Sequence, residues 1–151
     1  MTLIRMTLIA AVAAFSFAGA GLAADMMSKD QYKSEKARIE ADGKAAREKC
    51  KGMKGNAKDL CMAEAKGNEK IAKAELAAKQ KDTPKARYDV AAAKADLEYN
   101  VAKEKCDDLK GKDKQSCEKD AKAAHNQAKK QAKAERDAAE GKKDRPAKSS
   151  K

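Results

Sequence analysis

The four cysteines constrain this chain more than any other feature. They stand at Cys50, Cys61, Cys106 and Cys117, two Cys-x10-Cys pairs displaced by 56 positions. The displacement reaches well beyond the sulfurs. Tyr32 answers to Tyr88, Ala46 to Ala102, Glu48-Lys49-Cys50 to Glu104-Lys105-Cys106, Lys54-Gly55 to Lys110-Gly111 and Ala65-Lys66 to Ala121-Lys122. A fixed offset of this kind marks a tandem duplication in which each copy is one supersecondary unit. The expected organisation is a leader at 1–24, one repeat at 25–82, a second at 83–140 and a basic disordered tail at 141–151.

Each unit reads as two antiparallel helices. Ala, Lys, Glu and Gln dominate, and all are strong helix formers. Ser28 followed by Gln31 makes a capping box. Thr83-Pro84 is a second start, with Thr as N-cap and Pro at the first helical position. Glu40/Lys44, Glu69/Lys73, Glu75/Lys79 and Glu118/Lys122 are i,i+4 pairs in the favourable orientation. β-Branched residues are few and no alternation marks a strand. Gly55 and Gly111 are expected as the residues that close the first helix of each unit. Asn56 and Asp113 are expected as N-caps of the second helices. The fold class is therefore all-α: two tandem helical hairpins, packed as a bundle or extended.

The cysteine spacing gains physical meaning in such hairpins. Cys50 and Cys61 are equidistant from Gly55-Asn56, and Cys106 and Cys117 from Gly111-Lys112, so each pair should face across its turn. Tyr88, Ala92, Ala95, Tyr99, Ala102 and Cys106 form a helical stripe that ends at a cysteine. Cys117, Ala121, Ala124, Ala128 and Ala132 form the facing one. In the first unit Tyr32, Ile39, Ala46 and Cys50 oppose Cys61, Ala65, Ala72 and Leu76. Alanine seams let helices approach closely, and a disulfide needs its Cα atoms within about 7 Å. The expected bridges are Cys50–Cys61 and Cys106–Cys117; the other two pairings of four cysteines would cross between the units. From Asp25 onward the chain has 26 Ala but only 15 larger apolar residues. A core so thin needs the staples and leaves little material for a deep pocket.

Residues 1–24 read as an address. Arg5 begins a short positive region, Met6 to Ala20 is apolar, and Gly21-Leu22-Ala23 offers small residues for cleavage after Ala23 or Ala24. The expected destination is the periplasm, or beyond it the extracellular space, where disulfides persist.

The chemistry is sparse. Zinc sites prefer cysteines two to four apart and disulfide oxidoreductases use Cys-x-x-Cys, and ten intervening residues match neither. Met26, Met27, Met53 and Met62 are too dispersed for a copper site. His125, the only histidine, answers to Glu69 in the first repeat and is expected to be a solvated helix residue. No Gly-rich phosphate loop, nucleophile elbow or His-Glu-x-x-His sequence occurs. No catalytic residue, cofactor or metal is expected. The charge is more telling: 35 Lys+Arg against 24 Asp+Glu give +11. On the helices the two signs are interspersed, as on solvated faces. The tail residues Lys142, Lys143, Arg145, Lys148 and Lys151 are the candidate contacts for a polyanion. Cytoplasmic nucleic acid is not an expected partner of an exported chain.

The turn Gly55-Asn56 with Cys61, the stretch Ala72-Lys73-Ala74-Glu75-Leu76 and the stretch Val101-Ala102-Lys103-Glu104-Lys105-Cys106 resemble a group of secreted Ala/Lys-rich proteins of Gram-negative proteobacteria, some labelled TolA-like. The resemblance implies an exported helical protein and no catalytic residues. The expected function is a non-enzymatic periplasmic envelope structural or interaction protein presenting charged helical faces to an envelope protein or anionic surface. The alternatives are a binder of anionic lipid, lipopolysaccharide or extracellular nucleic acid, and a periplasmic stress chaperone.

Overall fold

The computed structural model describes residues 27–143. Four helices follow one another: α1 (Lys29–Cys50), α2 (Gly55–Gln80), α3 (Pro84–Cys106) and α4 (Gly111–Lys143). No strand occurs among the described residues. The leader lies outside them, as do Arg145, Lys148 and Lys151. Gly141 to Lys143, expected in the tail, continue α4.

The starts of α1 and α3 are where the sequence puts them. Ser28 Oγ accepts the Gln31 N–H at 3.2 Å, and Gln31 Oε1 accepts the Ser28 N–H at 2.9 Å, completing the capping box. Thr83 Oγ1 accepts the Ala86 N–H at 3.0 Å with Pro84 opening α3. The turns differ from expectation. Helices α1 and α3 end at the cysteines themselves, with Lys51 and Asp107 as right-handed C-caps. Gly55 and Gly111 instead open α2 and α4, at φ 57° and 58°. This left-handed conformation disfavours any residue with a Cβ. Glycine is thus required where the chain re-enters a helix, not where it leaves one. Asn56 and Asp113 sit inside the first turns and are not the caps. Lys54 caps α2 without a side-chain bond.

Asn56 is used differently. Its Nδ2 donates to the Glu104 carbonyl at 2.7 Å, in the last turn of α3. The same carbonyl accepts the Asp107 N–H at 3.2 Å, and the Asn56 bond to it ties the start of α2 to the end of α3 and joins the two units.

Both disulfides form: Cys50–Cys61 with a Cα separation of 5.6 Å and Cys106–Cys117 with 5.7 Å. They staple two repeat-related hairpins. Each helix packs only against its neighbours in sequence, α1 on α2, α2 on α3 and α3 on α4. The arrangement is therefore neither a closed bundle nor an end-to-end rod but an open row. Because neighbours run antiparallel, both stapled turns lie at one end. The turn at 81–83, the start of α1 and the end of α4 lie at the other.

The buried apolar residues are Cys50, Ala65, Leu76, Ala93, Ala95, Cys106 and Ala132. Only Leu76 among them is large, and the side chains most completely removed from solvent are Cys50 and Cys106. Between the units the seam tightens at Gly67, where an added Cβ would lie 2.9 Å from Leu97 Cβ. Two ion pairs cross the same seam, Lys70 with Asp96 and Lys94 with Glu75 at 3.0 Å.

Candidate functional site

The most organised polar cluster lies midway along α3. Asp96 accepts hydrogen bonds from Lys70 of α2, from His125 Nε2 of α4 at 2.8 Å and from Lys129 of α4 at 3.4 Å. Its side chain is about one-quarter exposed (24 %). Burial alone would raise its pKa. The bonds from Lys70 and His125, with the charges of Lys70 and Lys129, outweigh burial and bring it down to about 2. Asp96 is thus a fixed anion holding three helices together.

His125 is not solvated. Its ring stacks on Tyr99 with centroids 4.8 Å apart, and its side chain is only 18 % exposed. Ala124, expected on the seam, is exposed. A helix of 3.6 residues per turn carries the seam from Ala121 to either 124 or 125 before Ala128, and the bonded, stacking imidazole takes the place. The first repeat makes the same choice. Its equivalent, Glu69, is also drawn into the seam while Asn68 is exposed. Glu69 accepts bonds from Lys73 at 2.7 Å and from Arg47, and these hold its carboxyl below the usual range.

The two clusters are versions of one design. Lys73–Glu40 at 3.2 Å in the first hairpin corresponds to Lys129–Asp96 in the second. Where the first hairpin sets Gly43 against Glu69, the second sets Tyr99 against His125. Of the other i,i+4 pairs expected, Glu40 pairs with Lys73 and Glu75 with Lys94, across helix seams, and Glu118 lies 3.9 Å from Lys114. Glu40 and Glu75, expected on solvated faces, thus link neighbouring helices. Tyr88 lies beneath the guanidinium of Arg136, 5.0 Å from its ring centroid.

Above Asp96 runs an open groove of about 570 Å³ between α2 and α4, floored by Leu97 and Tyr99 of α3 and walled by Met62 and Gly67 of α2. No residue pattern announces it, because it depends on the row staying open. An Asp–His pair stands at its edge, but the lining holds no Ser, Thr or Cys to serve as a nucleophile beside His125. As arranged, Asp96 and His125 clamp helices.

Among the described residues no three His, Cys, Asp or Glu side chains converge as a metal centre requires. All four cysteines are in disulfides. Two such bonds point to an oxidising, exported compartment. No described helix is long and apolar enough to cross a membrane. Of the tail cations, Lys142 and Lys143 lie in the last turn of α4, at the end of the row opposite the disulfides. Comparison with protein-family models, curated proteins and solved structures finds no match.

Proposed function

We propose that this chain is a non-enzymatic interaction protein of the bacterial periplasm, delivered there by the leader at residues 1–24, and that it acts as a stapled helical spacer. The resemblance to secreted Ala/Lys-rich proteins accords with this reading. One observation carries it: the open row sets both disulfide turns at one end and the basic end of α4 at the other. The polar clusters at Glu69 and Asp96 serve helix docking, which leaves the ends and outer faces for partners.

A polyanion-binding role through Lys142, Lys143, Arg145, Lys148 and Lys151 is the second reading, favoured by the concentration of like charge at one end. Site-specific photocrosslinking in the native envelope separates the two. Photoreactive residues at Ala41 on α1, Ala123 on α4 and Met53 at a stapled turn are expected to give discrete adducts, concentrated at one site and retained at physiological salt. Absence of adducts at all three sites overturns the interaction reading. Binding that falls steeply with salt and disappears on deleting 141–151 supports the polyanion reading instead.

A further inference from the structure

The exposed large apolar residues among those described are Met53, 40 % exposed, and Leu109, 42 % exposed. They are equivalents at the 56-residue offset, each followed by Lys and then by the glycine with positive φ: Met53-Lys54-Gly55 and Leu109-Lys110-Gly111. Each turn is braced by a disulfide beneath it. The antiparallel row brings both turns to the same end, as the Asn56–Glu104 bond requires. Turn positions favour Gly, Asn, Asp, Ser and Pro. In a chain so poor in large apolar residues, two of them stand at matched turns and face water.

We infer that this end of the row docks on an anionic lipid surface, with Met53 and Leu109 entering between headgroups. The inference rests on the interaction reading above and names its partner. Shape favours lipid over protein. The two side chains lie on separate turns whose centres are two helix spacings apart in the row, roughly 16–20 Å. A stable protein interface needs roughly 1,200 Å² or more of fitted surface. A bilayer interface accepts isolated apolar side chains while lysine ammonium groups remain at the phosphate level. Charge agrees at the first turn, where Lys49, Lys51, Lys54 and Lys58 outnumber Glu48, itself bonded to Lys51 at 2.7 Å, and Asp59. The second turn is balanced. Asp107 is engaged by Lys114 at 2.7 Å, and Lys110 and Lys112 accompany Asp108 and Asp113. The first turn therefore supplies most of the attraction, and both supply insertion.

The chain contains no Trp, so Met53→Trp introduces a single indole at the tip. The oxidised chain 25–151, which contains the whole described fold, is titrated with phosphatidylglycerol vesicles, with phosphatidylcholine vesicles and with soluble glycerophosphate. The indole emission is expected to shift to the blue on phosphatidylglycerol vesicles, and much less on the other two. In the chain without the indole, Met53→Ser/Leu109→Ser should lower partitioning onto phosphatidylglycerol by about tenfold or more. Its melting temperature should be unchanged, because both residues lie outside the core. Lys142→Gln/Lys143→Gln should leave the blue shift intact. An unshifted indole on phosphatidylglycerol overturns the inference. So does a serine pair that binds as well as the parent, or an equal response to soluble glycerophosphate. If vesicles fail while the envelope crosslinks from Met53 reach a protein, the tip docks on protein and the interaction reading stands. If vesicles fail and none of the three sites gives an envelope adduct, both readings fall.

Discussion

Each disulfide closes a loop with a sequence separation of 11. In the chain-entropy model, a loop of that size removes enough freedom from the unfolded chain to contribute about 3 kcal/mol at 25 °C. Unfolding entropy of about 2.1 cal/mol/K per residue, taken over the described fold, is about 0.25 kcal/mol/K, so one staple corresponds to about 12 °C in melting temperature. Loss of both should remove about 6 kcal/mol, comparable to the whole stability of a small domain. The perturbation is best made two ways, by reducing the native chain and by Cys50→Ala/Cys61→Ala. Reduction removes only the cross-link, whereas the double alanine also removes sulfur volume from a position with no solvent exposure.

The assay must follow tertiary docking as well as helix content. Ala- and Lys-rich helices of this length retain partial helicity without docking, so circular dichroism alone would understate the loss. Amide exchange in α2 and α3, which pack on neighbours from both sides, reports the row itself. The expected result is a fall of about 12 °C for either single staple, a larger fall for both, and loss of protection in α2 and α3 ahead of loss of helicity. A fall below about 4 °C on full reduction, with exchange unchanged, would refute the argument. It would mean that the alanine seams and ion pairs hold the turns together unaided.

Gly67→Ala should destabilise the junction by about 1–2 kcal/mol: the clash with Leu97 exceeds the roughly 1 kcal/mol gained in helix propensity, and Leu97→Ala added to it should recover part of the loss in urea melts. Gly55→Ala and Gly111→Ala have open space around the new methyl, so their expected cost of about 1–2 kcal/mol each comes from the positive φ alone, and Gly55→Asn should cost less. Asp96, depressed to about 2 from 3.8, contributes stability present above the unfolded value and lost as pH falls through the folded one. That contribution is about 1–2 kcal/mol with allowance for partial solvation. Acid titration of stability should therefore steepen between about pH 4 and pH 2, and Asp96→Asn should flatten that window while lowering stability at neutral pH.

How much of this could be read from residues alone depends on which interaction decides each feature. The staples, the helix starts at Ser28 and Thr83 and the seam ending in Cys50 and Cys106 are local or follow from the duplication, and they were legible. The roles of Gly55 and Asn56 were not. Composition marks a turn but does not say on which side of it the left-handed residue falls, and the Asn56 partner lies 48 residues away at Glu104. The place of His125 is not fixed by its own helix, because the helical period leaves 124 and 125 equally able to face the seam. Its stacking on Tyr99 and its bond to Asp96 decide between them, and both are long-range. The groove beside Asp96 could not be read at all, since it exists only because α4 does not fold back onto α1.

That openness itself has a cause in the sequence. The junction between the hairpins is made by Gly67 receiving Leu97, by Lys70 with Asp96 and by Glu75 with Lys94. A third hairpin, or a second copy, would have to repeat these contacts on the outer faces of α4 and α1. At the 56-residue offset α4 offers Ala123, Asn126 and Gln131 in place of Gly67, Lys70 and Glu75, and α1 offers Ala41, Glu40 and Arg38 in place of Leu97, Asp96 and Lys94. The knob and its socket are both gone, and neither ion pair can re-form. Glu40 is turned inward to Lys73, and Arg38 is bonded to Glu35 at 2.8 Å. Terminal units of repeat arrays carry polar outer faces that stop further stacking. Here each of the two units ends the array on its own side. The duplication therefore built one junction whose contacts the outer faces of α1 and α4 do not repeat, so a partner on those faces must be met through other contacts.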